Sequence, residues 1–224
     1  MESRTLNGNS MTEDAYHILR DELLACRLVP GSKLKVSALS ETFGFSPGAV
    51  REALSRLSSE DLVIAEPQRG FTASPVSETD LMDLTEARVI LESTCIKKSM
   101  EYGDIEWETQ LVAAAHRLKR IEYKQGSKNE WGVAHIAFHD ALVAGCHNQT
   151  LLEIRNQLLA RSERYRRMAL KTPNAEARIR KADDEHQLLF EAVMAGKSTE
   201  AAKIIRKHII TTSQSLLNSI LAAD

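Results

Sequence analysis

Long hydrophobic runs are missing from this chain. No stretch reaches about 18 uncharged apolar residues, the least that a membrane-crossing helix needs, so no membrane partner is expected. Met1 to Ser10 is polar and lacks the apolar centre of a secretion signal, so none is expected either. Cysteine is scarce. Cys26, Cys95 and Cys146 are widely spread and odd in number, which argues against a disulfide framework and for free thiols in a reducing cytoplasm. Aromatic residues make up only 5% of the chain, and a charge excess of either sign is absent: 29 Lys and Arg against 31 Asp and Glu leave a net charge of −2, so composition alone does not mark a nucleic-acid binder. What is present is 43% hydrophobic residues in a chain of 224, enough for one large domain or two small ones.

The first 75 residues read as helix, short helix, helix, hairpin. After Thr12, residues Ala15, Leu19, Leu23 and Cys26 fall on one helical face, and Pro30-Gly31 breaks the pattern. A short helix centred on Leu39 and Phe43 ends at Gly44. The next begins at Ser46, a good N-cap, with Pro47 at the first helical position, where its missing N–H costs nothing. Val50, Ala53, Leu54 and Leu57 form its buried stripe. Leu62 to Ala65, a turn over Pro67-Gln68-Arg69-Gly70, and Phe71 to Ala73 read as a hairpin. This order is that of a winged helix-turn-helix, over 11–75.

Pro75 marks the joint to the second part, residues 76–222. No strand pattern occurs between Ser77 and Leu221. Helical patterns run over 78–101, 104–124, 129–145, 148–171, 175–195 and 198–221, with breaks at Gly103, Gln125-Gly126-Ser127, Gly145 to Asn148, Thr172-Pro173-Asn174 and Gly196. Six helices on short connections imply an antiparallel helical bundle, so the expected class is mainly α.

A helix-turn-helix places its second helix in the major groove, N-terminal end first. Ser46 and Gly48 keep that end slim for close approach to a phosphate. Arg51 lies one turn in, off the buried stripe, and can reach a guanine edge with two hydrogen bonds; its alternative is an ordinary surface pairing with Glu52 or the backbone of Ser55. Gln68, Arg69 and Gly70 at the hairpin tip suit the neighbouring minor groove or a phosphate. Residues 1–75 hold eight basic and ten acidic side chains, so only the face bearing Lys35, Arg51, Arg56 and Arg69 is expected to be basic. Modest affinity per copy and strong salt dependence follow.

In the helical part, His135 and His139 are four apart and so share a helix face, while His186 and His208 lie in the last two helices. Imidazoles brought together from three helices can build a metal centre in a bundle. Neutral imidazole favours zinc, with nickel or another transition metal as alternatives. His17, His116 and His147 lack such company and read as surface or capping residues. Arg88 recurs with Leu81, Leu84, Leu91 and Cys95 on an otherwise apolar stripe, where a cation needs a partner: Glu92 one turn on, or a ligand carboxylate. Arg155, Arg161, Arg164, Arg166 and Arg167 read as a solvated or dimer-facing helix surface. A metalloenzyme is disfavoured, because no Glu precedes His139, His186 or His208 by three residues, as di-iron bundles require.

The run Pro30-Gly31, Leu34, Leu39, Phe43-Gly44-Phe45-Ser46, Val50-Arg51-Glu52-Ala53-Leu54, Leu57, Glu60, Leu62-Val63 and Arg69-Gly70 resembles the winged domain of GntR-type transcription regulators. The helical remainder resembles the FCD effector domain of the FadR and VanR-like branch. That resemblance implies a cytoplasmic, homodimeric regulator, most often a repressor, on a pseudo-palindromic double-stranded operator. It also implies a divalent metal at His135, His139, His186 and His208, and a small organic acid effector facing Arg88 of the Ala-Arg-x-x-Leu-Glu motif. Two positions depart from the family pattern. Pro47 replaces an arginine that contacts bases, and His135 replaces an aspartate ligand. If His135 turns away, Asp140 or Asp184 is the substitute.

Overall fold

The computed structural model describes residues 11–121, 128–169 and 175–221. The expected tail 1–10, the breaks at 125–127 and 172–174, and the far ends of the helices expected to reach 124 and 171 lie outside the described residues. The chain divides into two compact units: residues up to Ser77 with Glu163–Met168, and Glu78–Ser162 with the residues from Ala169 onward.

The first unit holds α1 (Met11–Leu24), β1 (Lys33–Leu34), α2 (Val36–Phe43), α3 (Pro47–Ser59), β2 (Val63–Glu66) and β3 (Gly70–Ala73). Ala15, Leu19 and Leu23 of α1 pack with Val50, Ala53, Leu54 and Leu57 of α3, all buried, which is the helix-period stripe of each segment turned inward. Ser46 caps α3: its hydroxyl accepts from the N–H of Ala49 at 3.2 Å, with Pro47 at the first helical position. Gly44 ends α2 in the left-handed region at φ 74°, which costs a glycine little. Cys26 was expected on the face of the first helix, but α1 stops at Leu24 and Cys26 sits at φ 52°.

The sheet has the order β1-β3-β2, both pairs antiparallel. Strand β1 was not expected from the sequence, since two residues are too few to show alternation. It is held by the turn before it: Gly31 N–H donates to Ala73 O and Ala73 N–H to Ser32 O, each at 2.9 Å. In β2–β3, Glu66 faces Gly70 across a three-residue loop whose middle residue, Gln68, takes φ 63°.

The second unit contains α4 (Glu78–Tyr102), α5 (Ile105–Arg120), α6 (Lys128–Val143), most of α7 (Gln149–Ala169), α8 (Ala175–Met194) and α9 (Ser198–Leu221), with a 3-10 turn at Ala144–Cys146. No described helix is long and apolar enough to cross a membrane. Ile96, Leu111, Phe138, Leu142, Leu189 and Ile205, from five helices, meet in one core. Helices α4 and α9 are also joined by a buried hydrogen bond, Thr85 Oγ1 to Ser213 Oγ at 2.7 Å. Trp107 seals the α4–α5 corner: Asp104 caps its N–H at 2.9 Å, and its Nε1 donates to Ala141 O at 2.8 Å. Gly103 runs directly beneath the ring, where a Cβ would lie 2.2 Å from Trp107 Cε3.

Candidate metal centre and nucleic-acid interface

The four histidines converge. One ring nitrogen from each of His135, His139, His186 and His208 lies within 4.8 Å of the others. Helix α6 supplies the first two from successive turns of one face, and α8 and α9 supply one each. All four are buried, His135 at 9% and the others at 4% exposure or less. Nε2 of His139 is 3.2 Å from Nε2 of His186. Nitrogens bound at zinc distances in a tetrahedron stand about 3.3 Å apart, so this pair already has the spacing a shared cation needs. His135 has not turned away; it sits in the cluster with Trp131 stacked on it at 4.8 Å between ring centres. Neither suggested substitute belongs to the cluster. Asp140 accepts from Arg155, and Asp184 is exposed.

Outer groups orient the rings. Nδ1 of His208 is 2.7 Å from Glu185 Oε2, a carboxylate that accepts a hydrogen bond from it; in the neutral ring that tautomer puts the lone pair on Nε2. Asp183 lies 3.7 Å from Nδ1 of His186 and accepts from Trp131 Nε1 at 3.3 Å. Burial lowers the pKa of His186 to about 4, against the pull of Asp183. Burial, then the neighbouring imidazoles, holds His139 well below the ordinary histidine range. Rings kept neutral at pH 7 are the protonation state that ligates metal. A solvent-open cavity of about 260 Å³ reaches His186, lined also by Phe138, Phe190, Asp183, Asp184 and Lys119.

Arg88 takes the partner that lies on its own helix. Its Nη2 and Nε donate to Glu92 Oε1 at 2.6 and 3.0 Å, with Glu92 fully buried. Burial raises the Glu92 carboxyl, but the Arg88 and Arg155 guanidiniums outweigh it, and its pKa ends below the carboxylate value. The expectation of a solvated or dimer-facing arginine surface is corrected for two of its five members: Arg155 and Arg164 are 1% and 3% exposed. Arg155 donates to Asp140 and Asn156 and lies 3.6 Å from Glu92. Arg161 pairs with Asp80, and Arg166 and Arg167 with Glu163. Glu185, Asp183 and Trp131 were not singled out from sequence, and Arg155 was placed on a helix surface. Glu185, adjacent to His186, and Asp183 and Trp131, one turn before His186 and His135, offered a positional signal.

In the winged unit, Lys35, Ser46, Gly48, Arg51, Gln68, Arg69 and Gly70 are all exposed. Lys35 precedes α2, Arg51 is one turn into α3, and Gln68 and Arg69 form the hairpin tip. The pairing of Arg51 with Glu52 is not formed among the described residues. Arg56 is a correction to the expected basic face. It lies over the Tyr16 ring at 4.0 Å and donates to Glu13 at 2.6 Å, tying α3 to α1. Tyr16 and Arg20 in turn donate to Glu60. Of the four cations expected on that face, Lys35, Arg51 and Arg69 are exposed and form no ion pair among the described residues.

A winged helix-turn-helix joined to an all-helical domain is the make-up of a DNA-binding transcription regulator rather than an enzyme. Residues 11–72 match the model of the bacterial regulatory proteins of the gntR family, and residues 83–211 match the FCD domain. The chain is 34% identical over 202 residues to the HTH-type transcriptional repressor GlaR of Escherichia coli (strain K12), covering 88% of this chain and 92% of that protein. It is 32% identical over 208 residues to the HTH-type transcriptional regulator BphR of Paraburkholderia xenovorans (strain LB400), covering 91% and 84%. The solved structure of E. coli McbR/YncC shares the fold, with a TM-score of 0.75 at 22% identity over 94% of this chain and 98% of that one. The chain belongs to the GntR family of transcription regulators, and its helical part is an FCD domain.

Proposed function

We propose that the chain is a repressor, acting as a homodimer on a pseudo-palindromic operator and released from it by a small organic acid bound beside a divalent transition metal, zinc first, in the helical domain. The observation that carries this reading is the buried convergence of four imidazole nitrogens within 4.8 Å. Apolar packing alone does not call for four such groups together, and burying them without a partner is unfavourable. GlaR, named as a transcriptional repressor, supports the sign of regulation. Lys35, Ser46, Gly48, Arg51, Gln68, Arg69 and Gly70 form the DNA face in this reading.

Bound there, the ion would supply a positive charge that four neutral ligands leave uncancelled, and that draws an anion. Arg88 would share the acid's carboxylate, exchanging its own Glu92 for it. Effector and operator would then disfavour each other reciprocally. Duplexes selected from a random pool by the purified protein serve as operator. Carboxylic acids are titrated into the complex and release is followed by fluorescence anisotropy. Release by an acid from zinc-loaded protein, lost in His139→Ala, is the expected result. Equal release from both proteins would end the metal part of this reading.

The second reading makes the ion structural or the signal itself. Four nitrogens suffice to close a tetrahedral zinc shell and leave no open position. Chelation then either melts the helical domain, as for a structural ion, or releases DNA without unfolding, as for a sensed one.

A further inference from the structure

Two buried polar atoms beside the histidine cluster face each other without a hydrogen bond. Nδ1 of His139 and Oε2 of Glu92 are 3.9 Å apart and neither has a hydrogen-bond partner, while Arg155 Nη2 stands 3.6 Å from the same carboxylate oxygen. Both side chains are shut off from solvent, at 2% and 1% exposure. Buried groups capable of donating and accepting are ordinarily paired, so this gap asks for an explanation. The other carboxylate oxygen is in use: Oε1 accepts both bonds from Arg88. The other ring nitrogen is in the cluster, where Nε2 stands 3.2 Å from its counterpart on His186. A histidine that ligates through Nε2 carries its proton on Nδ1, and that proton seeks an acceptor outside the first shell. Oε2 of Glu92 is a buried acceptor 3.9 Å from Nδ1 of His139. Closing 3.9 Å to hydrogen-bonding distance takes about 1 Å of side-chain motion.

Resting on the metal reading above, we propose that Glu92 is a positioning residue shared by ion and anion: Oε2 accepts the Nδ1 proton of His139 while Oε1 holds Arg88. One carboxylate then links the two halves of the site. An anion that draws Arg88 away frees Glu92 to bond His139 more strongly, so anion and ion reinforce each other's binding. The competing role is purely electrostatic. In that role Glu92 neutralises Arg88 and Arg155 and has no part in orienting the ring.

Zinc affinity, measured by competition with a chromophoric chelator, separates the two roles in the wild type, Glu92→Gln, Arg88→Met and the double variant. Exchanging an outer carboxylate for the weaker acceptor of a neutral amide lowers metal affinity by about 10-fold, the low end for an altered outer shell. That loss is expected for Glu92→Gln in both backgrounds. If it disappears once Arg88 is replaced, Glu92 is only a counterion for Arg88 and the proposal is overturned. A second measurement needs no variant. In zinc-loaded wild-type protein, histidine proton–nitrogen correlation spectra should show the His139 ring proton on Nδ1, shifted downfield and protected from exchange. A proton on Nε2 would overturn the proposal. Wild-type protein that binds no zinc would remove the metal reading itself. Tight zinc binding with equal affinity in the wild type and Glu92→Gln would remove only the role of Glu92.

Discussion

Nε2 of His139 and Nε2 of His186 stand 3.2 Å apart inside the helical domain, with both rings buried. Each neutral imidazole has one proton to place, so this pair can share a proton as donor and acceptor, or share a cation through two lone pairs. Helices α6 and α9 deliver the two remaining rings, His135 and His208, to the same spot, and that favours the cation.

Zinc should therefore stabilise the helical domain. At a concentration one hundred times its dissociation constant, a ligand of the native state adds about 2.7 kcal/mol. For a chain of this size that raises Tm by roughly 5–10 °C. In His139→Ala the rise should vanish in differential scanning calorimetry, and an undiminished rise would place the ion elsewhere.

Without metal, the domain should weaken as pH falls from 7.5 to 5. The pKa of His186 is about 4 when folded, below the unfolded value of 6.5. Above pH 6.5 neither state binds this proton. Between pH 6.5 and 4 only the unfolded chain does, so stability drops with pH, and below 4 the slope disappears. At pH 5 the loss from His186 is about 2 kcal/mol. His139 is shifted in the same direction and adds to it. Guanidinium unfolding at the two pH values measures the difference; equal stability would mean that the rings are not buried neutral.

Arg51→Ala should weaken operator binding by roughly 5- to 150-fold, the equivalent of about 1–3 kcal/mol for a bidentate base contact. Folding should be untouched, because the side chain is exposed and makes no hydrogen bond or ion pair among the described residues. Anisotropy titrations on specific and scrambled duplexes check this. A loss equal on both would make Arg51 a phosphate contact instead.

Gly103→Ala should destabilise the helical domain by about 1–3 kcal/mol, as overpacking does. The added carbon would meet Trp107 Cε3 at 2.2 Å and the Ser99 carbonyl at 2.4 Å, and the backbone oxygen cannot rotate away. Chemical denaturation reads the cost, and a neutral result would show that the α4–α5 corner relaxes freely.

Much of the first unit was legible because its signals are local. Ser46 with Pro47, Gly44, and the spacing of Val50, Ala53, Leu54 and Leu57 each act within one or two turns of chain. Strand β1 was not legible, since Lys33 and Leu34 are defined by bonds to residues about forty positions later. The same distance hid the role of Arg56. Its partner Glu13 is 43 residues earlier, and nothing near Arg56 distinguishes it from Arg51.

By itself, the order of residues determined that His135 and His139 share a helix face, that Arg88 and Glu92 are within reach, and that the chain breaks between helices at glycine and proline. Those outcomes depend only on helix period and backbone stereochemistry. That α6, α8 and α9 bring their histidines to one point, that Arg155 is drawn inside beside Glu92, and that Arg56 turns toward Tyr16 were decided only by the tertiary structure. Apolar stripes can pack at several registers, and the register that buries the most surface while pairing each buried charge selects which polar groups meet.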